Sequence, residues 1–101
     1  MLSAMEVDES IEVIVGELDR LQGEYRQVAD AAANAEADYR LRYFSTLVRL
    51  KAEGMDGVRV TDKVAEAQAT IRAAEEYRRF KVTAAALDSA RQALLTYRTR
   101  L

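Results

Sequence analysis

Between residues 39 and 51 the chain carries Arg40, Arg42, Arg49 and Lys51 and no acid, interleaved with Tyr39, Tyr43 and Phe44. Cations set among flat apolar rings suit single-stranded nucleic acid, whose phosphates need positive charge and whose unstacked bases need aromatic faces. Arg40, Arg42, Tyr43, Arg49 and Lys51 are therefore the candidate nucleic-acid contacts. A packing role competes with that one, because Tyr39 and Tyr43 lie four apart, as residues on one helix face do. The segments Asp38-Tyr39-Arg40-Leu41-Arg42-Tyr43-Phe44 and Glu76-Tyr77-Arg78-Arg79-Phe80 also resemble each other. If the chain folds back on itself near residue 57 they lie side by side, and one packed aromatic layer accounts for both.

Other chemistries find no residues to carry them. The 101 residues include no Cys, His, Pro or Trp, so disulfides, thiol nucleophiles, imidazole bases and the usual zinc and haem ligand sets are excluded. There is no Gly-rich phosphate loop ending in Lys-Ser/Thr and no Gly-x-Ser-x-Gly, and the Ser and Thr hydroxyls have no His to activate them. Adjacent carboxylates such as Asp8-Glu9 and Glu75-Glu76 point to different sides of a helix and suit a solvated surface. The expectation is a protein that is not an enzyme and uses no metal or cofactor. Met1 to Asp8 lacks the basic and apolar regions of a signal peptide, and the apolar runs are too short to cross a bilayer, so a cytoplasmic protein without a membrane partner is expected.

The elements that must position these residues are helices. Ala, Leu, Glu, Arg and Gln fill most of the chain outside one stretch, Glu53-Gly54-Met55-Asp56-Gly57-Val58-Arg59-Val60-Thr61, and such a composition favours an all-α fold. Gly54 reads as a left-handed residue that stops the first helix, and Thr61 as the cap of the next, with Asp62 in its first turn. The turn thus falls within residues 53–61 and joins two arms of an antiparallel, coiled-coil-like helical hairpin, a single domain over residues 1–101. In the first arm Ile11, Ile14, Leu18, Leu21, Tyr25, Val28, Ala32, Ala35 and Tyr39 step by three and four, a heptad seam. Tyr43, Leu47 and Leu50 continue it with a looser rhythm. Ala73, Tyr77, Phe80, Ala84 and Leu87 form the facing seam, and Ala90, Leu94, Tyr97 and Leu101 extend it after a one-residue phase slip. Gly16, Gly23 and the β-branched Ile11 to Val15 weaken helix locally, so two alternatives stand for residues 1–22: the start of a single unbroken first helix, or a separate helix or mobile arm.

Charge is divided unevenly along the chain, although the formal total is only -2. Residues 1–38 hold ten acidic groups and two basic ones, Arg20 and Arg26; residues 39–101 hold thirteen basic and seven acidic. In an antiparallel pairing Arg98 and Arg100 fall beside Glu12, Glu17 and Asp19, Arg91 beside Glu24, and Arg78, Arg79 and Lys81 beside Glu36 and Asp38. Each exposed pair contributes only a few tenths of a kcal/mol, about what surface ion pairs give, so the pattern selects the pairing more than it stabilises it.

Two arms cannot cover all the apolar surface. Val13, Val15, Leu41, Phe44 and Val48 lie off the first seam, and Val64, Ala67, Ile71, Val82 and Leu95 off the second. A homo-oligomeric bundle or ring is expected, with Ile14, Leu18, Leu21, Tyr39, Leu47, Ile71, Tyr77, Phe80, Leu87 and Leu94 in its hairpin and oligomer core.

The Ala/Arg-rich arm, the Tyr39-Arg40-Leu41-Arg42-Tyr43 run, the Gly54 to Gly57 turn and the ending Leu94-Leu95-Thr96-Tyr97-Arg98 resemble small helical-hairpin proteins of bacteriophages. In outline the arrangement is similar to the UvsY-type recombination mediators of T-even phages, over about residues 25–101. That resemblance implies an oligomeric accessory protein of a recombination or replication module that binds single-stranded DNA, a recombination protein, or both. The alternative is a protein-interaction module: a coiled-coil adaptor, or an inhibitor displaying the acidic arm to a protein partner. Secreted helical hairpins with a Trp-x-Gly turn fit worse, since the chain has no Trp.

Overall fold

A computed structural model describes residues 3–99, so Arg100 and Leu101 of the expected charge pairing and seam lie outside the described residues. The described chain is all helical and extended, 79 × 15 × 13 Å. Helix α1 spans Ala4–Glu53, α2 spans Asp62–Arg72 and α3 spans Ala74–Thr99.

The 50 residues of α1 run without a break, and at 1.5 Å per residue they account for about 75 Å of the length. Residues 4–22 are thus continuous with the rest of α1, the unbroken alternative of the two that the sequence leaves open. Two local devices offset the glycines. Ser3 and Glu6 form a capping box: the Ser3 hydroxyl accepts from the Glu6 amide at 3.2 Å and the Glu6 carboxylate accepts from the Ser3 amide at 3.0 Å, which satisfies amides that a helix start leaves open. Farther along, Arg20 bridges Glu17 at 2.7 Å and Glu24 at 2.6 Å, one turn to either side.

Gly54 ends α1 with its amide donating to the Leu50 carbonyl at 2.9 Å. Its φ of 73° is positive as expected, but its ψ of -164° puts it in an extended region open essentially to Gly, outside the left-handed helical region. A Cβ there would be driven into the carbonyl of Val58. Met55 and Val58 then exchange backbone hydrogen bonds at 2.8 and 2.9 Å around Asp56 and Gly57, whose φ values are 52° and 76°. Positive φ at both central residues is the two-residue turn that Asp-Gly favours. Thr61 caps α2 as expected, its hydroxyl accepting from the Val64 amide at 3.3 Å.

Contacts between α1 and the later helices follow reversed chain order. Lys51 meets Asp62, Asp38 meets Arg79, Tyr39 meets Tyr77 and Phe80, and the Tyr97 hydroxyl donates to the Ile14 carbonyl at 3.5 Å. The return path bends at Ala73, whose φ of -98° and ψ of 10° end α2 before α3 begins. The expected phase slip after Leu87 leaves no break, because α3 stays helical through it.

Burial is heaviest near the turn, with a smaller patch at Ala32 and Ala35 in the middle of α1. Ala32, Ala35, Thr46, Leu50, Ala65, Ala69 and Ala73 are the buried residues among those described. Ala65, Ala69 and Ala73 recur every fourth residue, so α2 offers α1 a line of methyl groups that lets the two backbones come close. Of the expected core, Ile14, Leu18, Leu21, Tyr39, Leu47, Phe80, Leu87 and Leu94 are half-buried. Ile71 is 65% exposed and Ile11 52%, so both stand outside the packed interface of the single chain, while Tyr77, 44% exposed, joins that interface through its edge-on contact with Tyr39.

Candidate interaction surface

The last turns of α1 have two apolar sides. On the packed side lie Tyr43, Thr46 and Leu50, with Thr46 and Leu50 buried. Leu41 and Val48, seven residues apart, fall on the opposite side of the helix with Phe44 beside them. They are 71%, 65% and 54% exposed. Together with Ser45, Arg49, Ala52 and Glu53 they line a shallow, mostly apolar depression.

The candidate nucleic-acid residues are distributed around this ridge. At about 100° per residue Arg42 and Arg49 come out together on one flank, and Arg40 and Lys51 together on the other. Arg40 is tied to Glu36, its Nη2 and Nε donating to one carboxylate oxygen at 2.8 and 3.1 Å. Lys51 stands 3.8 Å from Asp62 across the turn. Arg42 and Arg49 make no ion pair among the described residues. Tyr43 is half-buried in a ring cluster, with its centroid 6.0 Å from Tyr39 and 5.1 Å from Phe44. Tyr39 in turn meets Tyr77 edge-on at 5.2 Å and stacks on Phe80 at 5.8 Å. The two look-alike aromatic segments therefore do pack together. A continuous positive track on one face is not what α1 presents; the basic groups form two borders with apolar surface between them.

The charge pairing expected between the arms is only partly present. Arg79 and Asp38, 3.6 Å apart, form the one ion pair between α1 and α3 among the described residues. Lys81, expected beside Glu36 and Asp38, has its ammonium 5.3 Å from the ring centroids of both Tyr77 and Phe80. Glu17 and Glu24 turn to Arg20 on their own helix, and Arg91 and Arg98 make no ion pair among the described residues. The local pairs win because residues three and four apart on a helix are already neighbours and lose little freedom in meeting. The Arg20 guanidinium, through its hydrogen bond and its charge, holds the Glu17 carboxyl below the usual range, and Glu17 raises Arg20 in the same way.

Sequence reasoning missed the most buried part of the molecule. Thr46, Ala65 and Ala69 are 1%, 0% and 0% exposed, and the pattern by fours in Ala65-Ala69-Ala73 was the available signal. No helix among the described residues is long and apolar enough to cross a membrane, and no three acidic side chains there are grouped to hold a metal ion. Comparison with protein-family profiles, with curated proteins and with solved structures finds no match.

Proposed function

We propose that this chain is a non-enzymatic protein-interaction module, an antiparallel helical hairpin that works in the cytoplasm in more than one copy. The observation that carries this reading is the exposed Leu41, Phe44 and Val48 ridge on the side of α1 away from its packed seam. A long helix with apolar surface on two sides buries only one of them against its own chain. Sedimentation at micromolar concentration tests it. The wild-type chain is expected at a multiple of 11.3 kDa, and Leu41→Glu with Val48→Glu is expected to lower that mass with the helix content kept. A wild-type mass of 11.3 kDa across the range, unchanged by the substitutions, would overturn the reading.

A second reading is single-stranded DNA binding by an accessory protein of phage recombination, as the sequence resemblance implies. Arg42 and Arg49 favour it, since they share one flank of α1 and have no ion-pair partner among the described residues. Counterion release then makes affinity fall with salt, with a slope of about 0.7 per phosphate contact. Replacing both by Ala should flatten that slope by roughly 1.4 per protomer. Absence of salt-dependent binding to single strands at low ionic strength would remove this reading.

A further inference from the structure

Gly16 and Gly23 are solvent-facing residues inside a long helix, where Gly is the least favourable residue after Pro. Nothing in the chain accounts for them: a Cβ built on either would meet no atom within 4 Å. Their position suggests what they accommodate. The packed seam of this part of α1 is Leu18, Leu21, Tyr25, Val28, Ala32 and Ala35, and Gly16, Gly23, Asp30 and Ala37, spaced by seven, fall on the opposite side. Leu41 and Val48 fall on the side opposite the seam too, farther along, and are also seven apart. The back of α1 is therefore flat at Gly16 and Gly23 and ridged at Leu41 and Val48, with the same repeat in both and the exposed Asp30 between them.

Resting on the interaction-module reading, we propose that the partner is a second copy of this chain, and that α1 packs back to back and antiparallel on α1 of that copy, Leu41 over Gly23 and Val48 over Gly16. Charge selects this partner and this direction. Residues 4–24 hold seven acidic groups against Arg20 alone, while residues 40–51 hold four cations and no acid. In an antiparallel pair equivalent flanks of the two helices meet. The register that seats Leu41 and Val48 on the glycines then brings Arg42 to Glu24 of the second copy and Arg49 to its Glu17, two carboxylates that share the single Arg20 of their own helix, and Lys51 to its Glu12. The two-fold axis repeats every pair, so the interface closes on itself. A parallel pairing would set acid against acid and base against base along the same faces. The shared stretch, residues 12–52, is roughly 60 Å of helix.

Three sets of variants test this by sedimentation equilibrium, with circular dichroism to follow helix content. Gly16→Leu with Gly23→Leu fills the flat surface while improving helix propensity, so helix content should hold or rise while the dimer dissociation constant weakens at least 100-fold. Arg42→Glu with Arg49→Glu, and separately Glu17→Lys with Glu24→Lys, should each be monomeric alone. Mixed in equal amounts they should form a heterodimer, since every reversed pair then meets its opposite on both sides of the axis. A mixture that stays monomeric would overturn the pairing, as would glycine variants that self-associate like the wild type; the latter would move the interface to the outer faces of α2 and α3 at Ile71, Val82 and Leu95. A wild-type monomer would remove the interaction-module reading itself.

Discussion

The two ends of this rod are packed differently. Near the turn, α1 and α2 enclose Thr46, Leu50, Ala65, Ala69 and Ala73, all nearly inaccessible. At the far end Ile14, Leu18, Leu21, Leu94 and Tyr97 remain half-buried, and no residue of α3 is fully buried. The difference lies in side-chain size and chain connectivity. Alanine every fourth residue brings α2 close to α1, and the short turn holds the two in register. At the far end α3 presents larger side chains, Leu94 and Tyr97 among them, and the turn that fixes α2 against α1 is distant. The turn end has a closed core, whereas the far end keeps its seam partly open to solvent.

The largest contrast should come from truncating one residue in each region. Leu50→Ala removes a fully buried side chain and leaves a cavity, and is expected to cost about 2–5 kcal/mol. Ile14→Ala removes a side chain already in partial contact with water, and should cost roughly half as much or less. Denaturant unfolding of both variants measures the contrast. Equal losses would mean that the far end is as well packed as the turn end, which the burial pattern denies.

Next in size is the turn that links the helices. Gly54 adopts φ 73° and ψ -164°, and a Cβ on it runs into the Val58 carbonyl. Gly54→Ala is expected to destabilise by about 1–3 kcal/mol, the cost of holding a side chain in that region, with relief of the clash on top. Gly57→Ala meets no neighbouring atom but keeps a φ of 76°, so it should lose less. Thermal melting of the two variants orders them, and the reverse order would show that the approach of Gly54 to Val58 is not what shapes the turn.

Thr46 offers a gain where the other changes bring losses. Its hydroxyl is buried without a hydrogen-bond partner, and such a group pays its desolvation without return. Thr46→Val keeps the shape and removes the orphaned oxygen, so stability should rise by about 1 kcal/mol. A loss on melting would mean that the hydroxyl finds a partner in solution.

Much of this fold was legible from spacing. The seam in α1, the turn between Glu53 and Thr61 and the Thr61 cap follow from steps of three and four, from Gly and Asp, and from a hydroxyl before a helix. What escaped depended on competition. Gly16 and Gly23 argued for a weak start to α1, but the capping box and the Arg20 bridges outweigh two unfavourable residues in a helix of this length. The charge pairing between the arms was visible as a pattern and yet formed mainly at Asp38 and Arg79, since nearer partners on the same helix took Glu17, Glu24, Glu36 and Arg40. Ala73 ended α2 without Gly or Pro to announce it. The candidate surface was legible as residue types; the sequence order alone put four cations in one group, and the helix turned them onto two borders of an apolar ridge.

The smallest effect belongs to the far end and concerns acid. Glu17 is held below the usual carboxylate range first by its hydrogen bond to Arg20 and then by the charge of Arg20. A carboxyl whose folded pKa is depressed contributes stability above its unfolded pKa and loses that contribution as pH falls through the folded one. Both groups are solvent-facing, so melting is a poor reporter. The titration of the Glu17 carboxyl by NMR reads the effect directly. In a chain already carrying Arg49→Ala, which removes the cation proposed to reach Glu17 from a second copy, its midpoint should lie below that of an ordinary glutamate, near 4.3, and should return to it when Arg20→Ala is added. Salt should narrow the gap, since screening weakens the charge component. An unmoved midpoint in Arg20→Ala would mean that the bridge spanning Glu17, Arg20 and Glu24 does not persist in solution, and the continuity of α1 past Gly16 and Gly23 would then rest on the capping box and on contact with α3.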